Sequence, residues 1–546
     1  MSLMKKFRTS LILVSVLAFI LVFSGCGQDT EVEPGEDPEP DEPISVTVAM
    51  NQEVEMLCPI TNNSTYDKYA LSAMYDYIVG IDEDENWMPA LAEDWEASED
   101  FTTWTFYIDP DANWTDGTPL TAHDVEFTVN LIANPDTETT KGTNINDLIG
   151  TNDMGRTEDG GQVEGFNVID DKTFEINLKG PRSETVIMDG FGTGFPIVPK
   201  HVLEGVEPSQ LVNHEAWQTH EVTVGPFKFV DYVEGSHFEY EKNSDYYKGA
   251  PSFDRLFLRI MDNQAMVAAM ERGDIDMLGA AAQIPLDDWE RVQGFEHMTS
   301  ESIPERSTQY MWINHRQERF DDPQVRKALL KGINRQLMVD RLLMGEGEVL
   351  DTPFSSAHQF HNPNLPTYEY DPDEAQAMLE EADFPFDEKL TIQVPAGLTF
   401  REQAAEMAMQ NLLDLGIDAE VQMYDFPTIV DNLTRELDFD LIFLGLTSPR
   451  DPAMEAFFYS DRLPQNYGAY SNPDMDEVLD GLQETYEFEE RLDLAHEMQQ
   501  IFREDPAYLY MFSPYLLTAH HNRMENIKLR DTDHFWDVHN WEVKSE

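Results

Sequence analysis

The sequence predicts an α/β protein of two lobes, the first enlarged by a β-rich subdomain. Three observations carry that expectation. The chain has 546 residues, too many for one core and compatible with two to four domains. From about residue 306 onward, strand-like apolar runs alternate with helical stretches, the rhythm of β-α-β units. Before that point, short alternating strands dominate, separated by Gly, Pro and Asp turn signals. A hydrophobic content of 41% is that of a folded chain, in spite of 36 Lys plus Arg against 105 Asp plus Glu and a formal charge of −69.

The N-terminus supplies an address. Lys5, Lys6 and Arg8 precede an apolar run, Leu11 to Phe23, and then Ser24-Gly25-Cys26. As a helix this run reaches about 20 Å, short of the roughly 30 Å hydrocarbon core, so it reads as a secretory signal rather than a span. The ending resembles the lipobox of bacterial lipoproteins, with Phe23 where a smaller aliphatic is usual. That resemblance implies a signal over 1–26, attachment of lipid (palmitate-type chains) at Cys26, and tethering to the outer face of the cytoplasmic membrane. In a cell with an outer membrane this is the periplasmic side. An ordinary secreted protein cut nearby is the alternative. Residues 27–43 hold eight acids and four prolines between Asp29 and Pro43; like-charge repulsion keeps such a segment extended, as a stalk.

Elements then follow in order. Ile44 to Met50 alternates as a first strand, and Trp104 to Ile108 as another. Thr121 with Asp124 forms a capping box that starts a helix over Val125 to Ile132. Phe174 to Leu178, Gly225 to Tyr232 and Phe238 to Glu241 read as strands. Asp322 caps a helix with Pro323 at its first position. Val325, Leu329, Ile333 and Leu337 predict that it runs on to a stop at Gly345. Leu390 to Val394, a helix capped by Thr399 with Glu402 and ended by Gly416, and Ile417 to Met423 make a right-handed parallel β-α-β unit. A helix near Thr428 to Arg435, the strand Phe439 to Leu446, a helix begun by Asn472-Pro473 and another over Leu492 to Phe502 extend this lobe. Tyr508 to Ile527 is apolar enough for core, but the order of elements does not say to which lobe it belongs.

Acids spread along the whole length point to a solvent property, adaptation to a salty (halophilic) habitat where screening relieves self-repulsion. Without a basic patch, nucleic acid is excluded as a partner. With Cys26 acylated, Cys58 has no partner and reads as a buried, inert thiol among Met56, Leu57, Pro59 and Ile60. Neither HExxH nor GxSxG occurs. Gly190-Phe-Gly192-Thr-Gly194 lacks nucleotide-loop spacing and reads as a turn-rich loop. His520-His521, His534 and His539 are scattered; neighbours on a strand face opposite ways, so no metal site is expected. No catalytic group, metal or cofactor emerges, and the chain reads as a binder rather than an enzyme. Tyr75, Tyr77, Trp114, Tyr310, Trp312, Tyr467 and Tyr470 suffice to line a cleft, with Asn314 presenting its amide at the edge. Core packing is the ordinary reading of each ring.

Specific runs sharpen this. Pro89-Ala-Leu-Ala-Glu-Asp-Trp95 is followed by Trp114-Thr-Asp-Gly-Thr-Pro-Leu-Thr-Ala-His-Asp-Val125. Then come Val224-Gly-Pro-Phe227, Glu241-Lys-Asn-Ser-Asp-Tyr-Tyr247 and Arg272-Gly-Asp-Ile-Asp-Met277. Phe320-Asp-Asp-Pro-Gln-Val-Arg-Lys-Ala-Leu329 with Ile333-Asn-Arg335, and Asp451-Pro452 with Tyr467-Gly-Ala-Tyr-Ser-Asn-Pro473, complete the series. In this order they resemble the family 5 extracellular solute-binding proteins of ABC importers, which include oligopeptide-, dipeptide- and nickel-binding lipoproteins.

The resemblance implies the large three-domain periplasmic-binding-protein fold (type II, class C), with two lobes around a ligand cleft. Residues 44–71, 201–305 and 506–546 would form a discontinuous first lobe, 72–200 its subdomain and 306–505 the second lobe. A monomer would deliver its solute to permease subunits driven by their ATPase. Asp116-Gly117 fits a tight turn, and Asp322-Pro323 with Arg326 fits capping and a local ion pair. Peptide-binding members commonly carry an Asp for the ligand's α-ammonium where Pro449 stands here, and a Trp where Leu446 stands. Arg450 beside it would repel an ammonium, and Asp451 takes the role if the alignment shifts. The candidate cleft therefore comprises Tyr75, Tyr310, Trp312, Asn314, Leu446, Arg450, Asp451, Tyr467 and Tyr470. Peptide is the leading ligand, with an oligosaccharide or another small solute as the alternative; a non-transport sensor is the alternative role.

Overall fold

A computed structural model describes residues 43–545, apart from residue 63 and residues 280–281, 462–465 and 531–534. The signal, Cys26, nearly all of the acidic stalk and His534 lie outside the described residues. β1 (Ser45–Met50) opens the first lobe, with Val46 and Val48 fully buried. The hairpin β2 (Val79–Ile81) and β3 (Trp87–Pro89) leads into the subdomain. There β4 (Ala92–Ala97), β5 (Thr103–Ile108), β6 (Phe166–Asp170) and β7 (Thr173–Asn177) form an antiparallel sheet in the order β4-β5-β7-β6. Phe106 and Phe166 each stack on Phe174 at 5.1 Å, anchoring this sheet to its own core. The helix Ala122–Ala133 begins at the expected capping box, the Thr121 N–H donating to Asp124 Oδ2 at 2.9 Å.

The first-lobe sheet continues with β8 (Phe227–Val233), β9 (His237–Lys242) and β10 (Arg255–Ile260), a meander whose last strand lies parallel to β1. β11 (Met277–Leu278) lies parallel to β1 on the other side. β12 (Met298–Pro304) and β13 (Ser307–Ile313) follow each other almost without a break at Glu305-Arg306. β14 (Gly347–Val349), β15 (Leu390–Pro395), β16 (Ala419–Tyr424) and β17 (Leu441–Thr447) belong to the second lobe. β15, the helix Thr399–Asp414 and β16 form the parallel crossover expected from the sequence, and β17 lies parallel to β15 on its other edge.

β18 (Tyr508–His521) answers the question of the C-terminal segment by belonging to both lobes. Tyr508 to Phe512 pairs with β13, whereas Tyr515 to His521 pairs with β12. The segment therefore enters the first lobe only beyond Pro514. Ser513 of β18 donates to the Glu305 carbonyl at 3.1 Å and so ties the two crossing strands together, and Ser355, from the loop after β14, donates to the same carbonyl at 2.7 Å.

Some local expectations shift. The four-residue apolar period predicts one helix, but Pro323–Gly332 and Arg335–Leu342 are separate. Ile333 is extended and Asn334 caps the second helix by accepting from the Leu337 N–H at 3.0 Å, which leaves Leu337 on the outside. The helix after β15 starts one residue early. Gly397, at φ +111°, turns the chain and its N–H donates to Glu402 at 2.7 Å, so Leu398 rather than Thr399 occupies the cap. Of the stretch Gly190 to Gly194, expected as a turn-rich loop, Gly190 to Gly192 end a π turn (Met188–Gly192) that continues a short α segment (Glu184–Ile187), and only the last two residues are turn or bend. Asp322 does cap its helix, but Arg326 pairs with the distant Asp505 and not with a local acid.

Candidate functional site

Parallel strands bring their carboxyl ends to one edge of a sheet, and open α/β proteins bind ligands in the crevice beyond that edge. In the second lobe the ends of β15, β16 and β17 lead into Gly397-Leu398, Asp425-Phe426 and Ser448-to-Asp451. Leu398 and Phe426 remain exposed there, at 46% and 59%. The loop after β17 meets the subdomain. Arg450 Nε donates to Glu85 at 2.7 Å and its Nη1 to Asp189 at 2.9 Å. Arg306 Nε lies 3.4 Å from the same Glu85 carboxylate, so two guanidinium groups flank one buried acid between the lobes. Pro449 offers its carbonyl to His358 Nε2 at 2.7 Å. Burial brings this histidine down to about 3, so it stays neutral beside two arginines.

A cavity of about 230 Å³ opens beside Arg450. Lys68 and Tyr69, on the helix Thr65–Ser72, form one wall; Tyr77, Lys248, Arg530 and Trp536 form others. Gly279 follows β11 here, and a Cβ on it would lie 2.4 Å from the Tyr69 hydroxyl, so only glycine lets the ring take this place. Asp76, the acid of the wall, accepts from the hydroxyls of Tyr246 and Tyr247 at 2.9 and 2.8 Å.

Of the residues expected at a cleft, Arg450 is on this cavity, and so is Tyr77 from the wider set of rings. Tyr310, Trp312, Tyr467 and Leu446 are brought together elsewhere, under the second-lobe sheet. Tyr310 stacks on Tyr508 at 5.1 Å, and Trp312 lies 4.4 Å from Tyr508 and 6.1 Å from Tyr467. Only about 10 Å³ remains open beside Tyr310 and Leu446, the room of one water at most. Tyr470 is buried against Phe458, its hydroxyl donating to Asp505, and Tyr75 is buried in the first lobe with its hydroxyl 3.0 Å from His220. Trp114 is also buried, edge-on to His201. Asn314 does not face the cleft edge: its amide donates to the carbonyls of Leu437 and Phe439 at 3.2 and 2.9 Å, holding the turn before β17. Asp451 accepts from Arg491 at 2.6 Å and from the Ala453 N–H at 2.9 Å, and the Ser183 hydroxyl lies 3.4 Å away. Its charge is engaged inside the protein.

Glu85, Asp189, Lys68, Lys248 and Arg530 escaped sequence reasoning. Among so many charges none bears a local mark. The one trace is Glu85, a non-glycine residue at φ +65° in the turn between β2 and β3. Cys58 is a buried free thiol, its pKa raised by burial as expected of an inert core cysteine. His520 and His521 face different surroundings, Glu301 at 3.0 Å and the His297 ring at 5.4 Å. Among the described residues, no helix is long and apolar enough to cross a membrane.

Comparison with known proteins places this architecture. The sequence profile described as bacterial extracellular solute-binding proteins, family 5 (middle), matches residues 86–469. The oligopeptide-binding protein AppA of Bacillus subtilis is 24% identical over 563 aligned residues, covering 98% of this chain and 99% of AppA. The periplasmic oligopeptide-binding protein OppA of Haemophilus influenzae is 24% identical over 460 residues, covering 80% of this chain and 82% of its own. HbpA2 from Haemophilus parasuis shares the fold at a TM-score of 0.80 and 20% identity, covering 92% of this chain and 100% of its own. AppA from Bacillus subtilis in complex with a nonapeptide does so at 0.66 and 22%, covering 92% and 100%. The two-lobed form is thus the large periplasmic-binding-protein fold, and with the family profile spanning most of its length the chain belongs to the bacterial extracellular solute-binding proteins of family 5, a family of solute binders and not of enzymes.

Proposed function

We propose that this chain is the lipid-anchored peptide receptor of an ABC importer. It captures an extracellular peptide between its lobes, as a monomer, and hands it to the permease, whose ATPase supplies the energy. The observation that carries the reading is the crevice, where the loop at the carboxyl end of β17 meets the subdomain of the other lobe through Arg450, Glu85 and Asp189. Relatives that cover 80% of this chain or more support peptide as the ligand, since AppA and OppA are named as oligopeptide-binding proteins. Anchoring rests on Cys26 and the signal before it. Residues 44–71, 201–305 and 515–546 as one lobe, 72–200 as its subdomain and 306–505 with the first half of β18 as the other is the division we adopt, with β12–β13 and β18 as the strands that flex between them.

In this reading peptide capture does not use a carboxylate of the β17 loop for the ligand's ammonium, because the family resemblance puts Pro449 at that position and Asp451 is held by Arg491. The oligosaccharide alternative needs open aromatic faces; Tyr310, Trp312 and Tyr470 are buried, which leaves Tyr77 and Trp536 of the cavity wall to supply them.

Native mass spectrometry of protein purified in molar salt tests the reading. A retained peptide envelope is expected; a ladder of hexose masses overturns it. Adjacent permease and ATPase genes would distinguish an importer from a sensor. The halophilic reading has its own check. Between about 0.1 and about 2 M KCl the thermal midpoint should rise by several degrees as screening relieves the −69 charge; a flat response ends it.

A further inference from the structure

The turn of the β4–β5 hairpin meets the second lobe, where the Phe101 ring lies 5.5 Å from that of Tyr486. Beside this contact is a cavity of about 510 Å³, within the range that takes a small molecule. It shares no lining residue with the cavity beside Arg450. Trp95, Phe101 and Trp104 line it from the subdomain, Tyr486 and Phe488 from the second lobe. Its charged lining is Glu96, Glu99, Glu184 and Glu487, with no Lys or Arg among the described residues. In a chain of 105 acids against 36 cations, four carboxylates in one wall are ordinary. Five rings among eleven lining residues, in a chain that is 11% aromatic, are not.

Rings and acids are joined here. The Trp95 indole N–H donates to Glu184 at 2.7 Å, which fixes the ring plane and, through the negative partner, makes its face more attractive to positive charge. Phe101, at φ +53°, holds its ring between Trp104, at 6.3 Å, and Tyr486. Trp104 is 2% exposed, and its Nε1–H has no partner among the described residues. Buried donors are rarely left unpaired, so this one calls for an acceptor. Carboxylates alone would select nothing in a salty medium, where screening acts within about 3 Å at about 1 M salt and leaves them to simple ions. An alkylated ammonium has no N–H to keep solvated, and it gains from ring faces and carboxylates together.

We propose that this cavity is a second ligand site, for a small organic cation of the trimethylammonium type with a hydroxyl oxygen beside the charge. The rings surround the methyl groups, the carboxylates supply the counter-charge and the oxygen accepts from Trp104. Because both lobes supply walls, the occupant bridges the subdomain and the second lobe. The site is additional to the peptide receptor and does not depend on that reading.

Calorimetric titration of the full chain with choline in molar KCl tests it. Saturable binding is expected, with the neutral isostere, in which tert-butyl replaces trimethylammonium, about tenfold weaker, equivalent to about 1.4 kcal/mol. Tyr486→Leu should weaken choline by about tenfold, and Glu99→Gln with Glu487→Gln, at two exposed positions, severalfold, each with an unchanged thermal midpoint. Added peptide should leave the titration as it is. No binding at tens of millimolar, or equal binding of the isostere, overturns the site and leaves the receptor reading standing. Choline affinity untouched by these variants, or choline displaced by peptide, overturns the location. Tetramethylammonium bound as tightly as choline overturns the role of Trp104.

Discussion

Two aromatic regions of this molecule are built from similar residues and serve opposite ends. Under the second-lobe sheet, Tyr310, Trp312, Tyr508 and Tyr510 close on one another, and about 10 Å³ is left beside Tyr310, Tyr508 and Tyr510. In the first lobe Tyr69, Tyr77 and Trp536 surround about 230 Å³. The difference lies in what carries the rings. β13, β17 and β18 are covered on both faces, and alternate residues go to opposite layers: Met311 and Leu509 to one core, Tyr310 and Tyr508 to the other. A ring in such a strand is committed to packing by its register. The cavity rings come from a helix, the loop before a short hairpin and the C-terminal segment, interleaved with Lys68, Lys248 and Arg530. Cations resist the dehydration that full closure would impose, so the space between them stays open.

That contrast can be broken at several points. Trp312→Ala should cost about 3–5 kcal/mol in denaturant unfolding, as for a large buried ring, with peptide affinity of the folded protein retained. A collapse of affinity without loss of stability would return this ring to the ligand site. Asp451→Asn should cost about 3 kcal/mol, because the buried Arg491 guanidinium loses its counter-ion. Should stability hold while peptide affinity falls tenfold, Asp451 is the ammonium partner after all.

On the cavity side, Asp537 next to Trp536 offers a pH test. Burial raises its pKa to about 6, above the value of the unfolded chain, so its contribution is fully present below about pH 4 and is lost as the pH rises through 6. Asp537→Asn stays neutral while keeping an acceptor for the Trp541 N–H. The variant should therefore match wild type near pH 4 and exceed it by about 1–2 kcal/mol at pH 8. Equal unfolding curves at both pH values would remove the charge from this core. The smallest effect is Tyr75→Phe, about 1 kcal/mol for the lost bond to His220, read as a shift in denaturant midpoint. A change in peptide affinity there would bring Tyr75 into the crevice.

What the sequence determined by itself was whatever rests on neighbours along the chain. The Thr121–Asp124 box, the strand alternation of β1 and β5, and the β15–helix–β16 unit all arise from hydrogen bonds and periodicities within a few residues. Motif order carried the family in the same way. The tertiary structure alone decided which face of a strand is covered, because that depends on which layer packs against it; hence Tyr310 and Trp312 are core while Tyr77 is wall. It also decided the partners of charges. Arg326 meets Asp505 across 179 residues, and Arg450 meets Glu85 across 365, separations that no spacing rule connects. Long-range pairing is set by where the sheets bring the chain, and β18, shared by both lobes, shows that even the boundary between them is a property of strand pairing rather than of sequence.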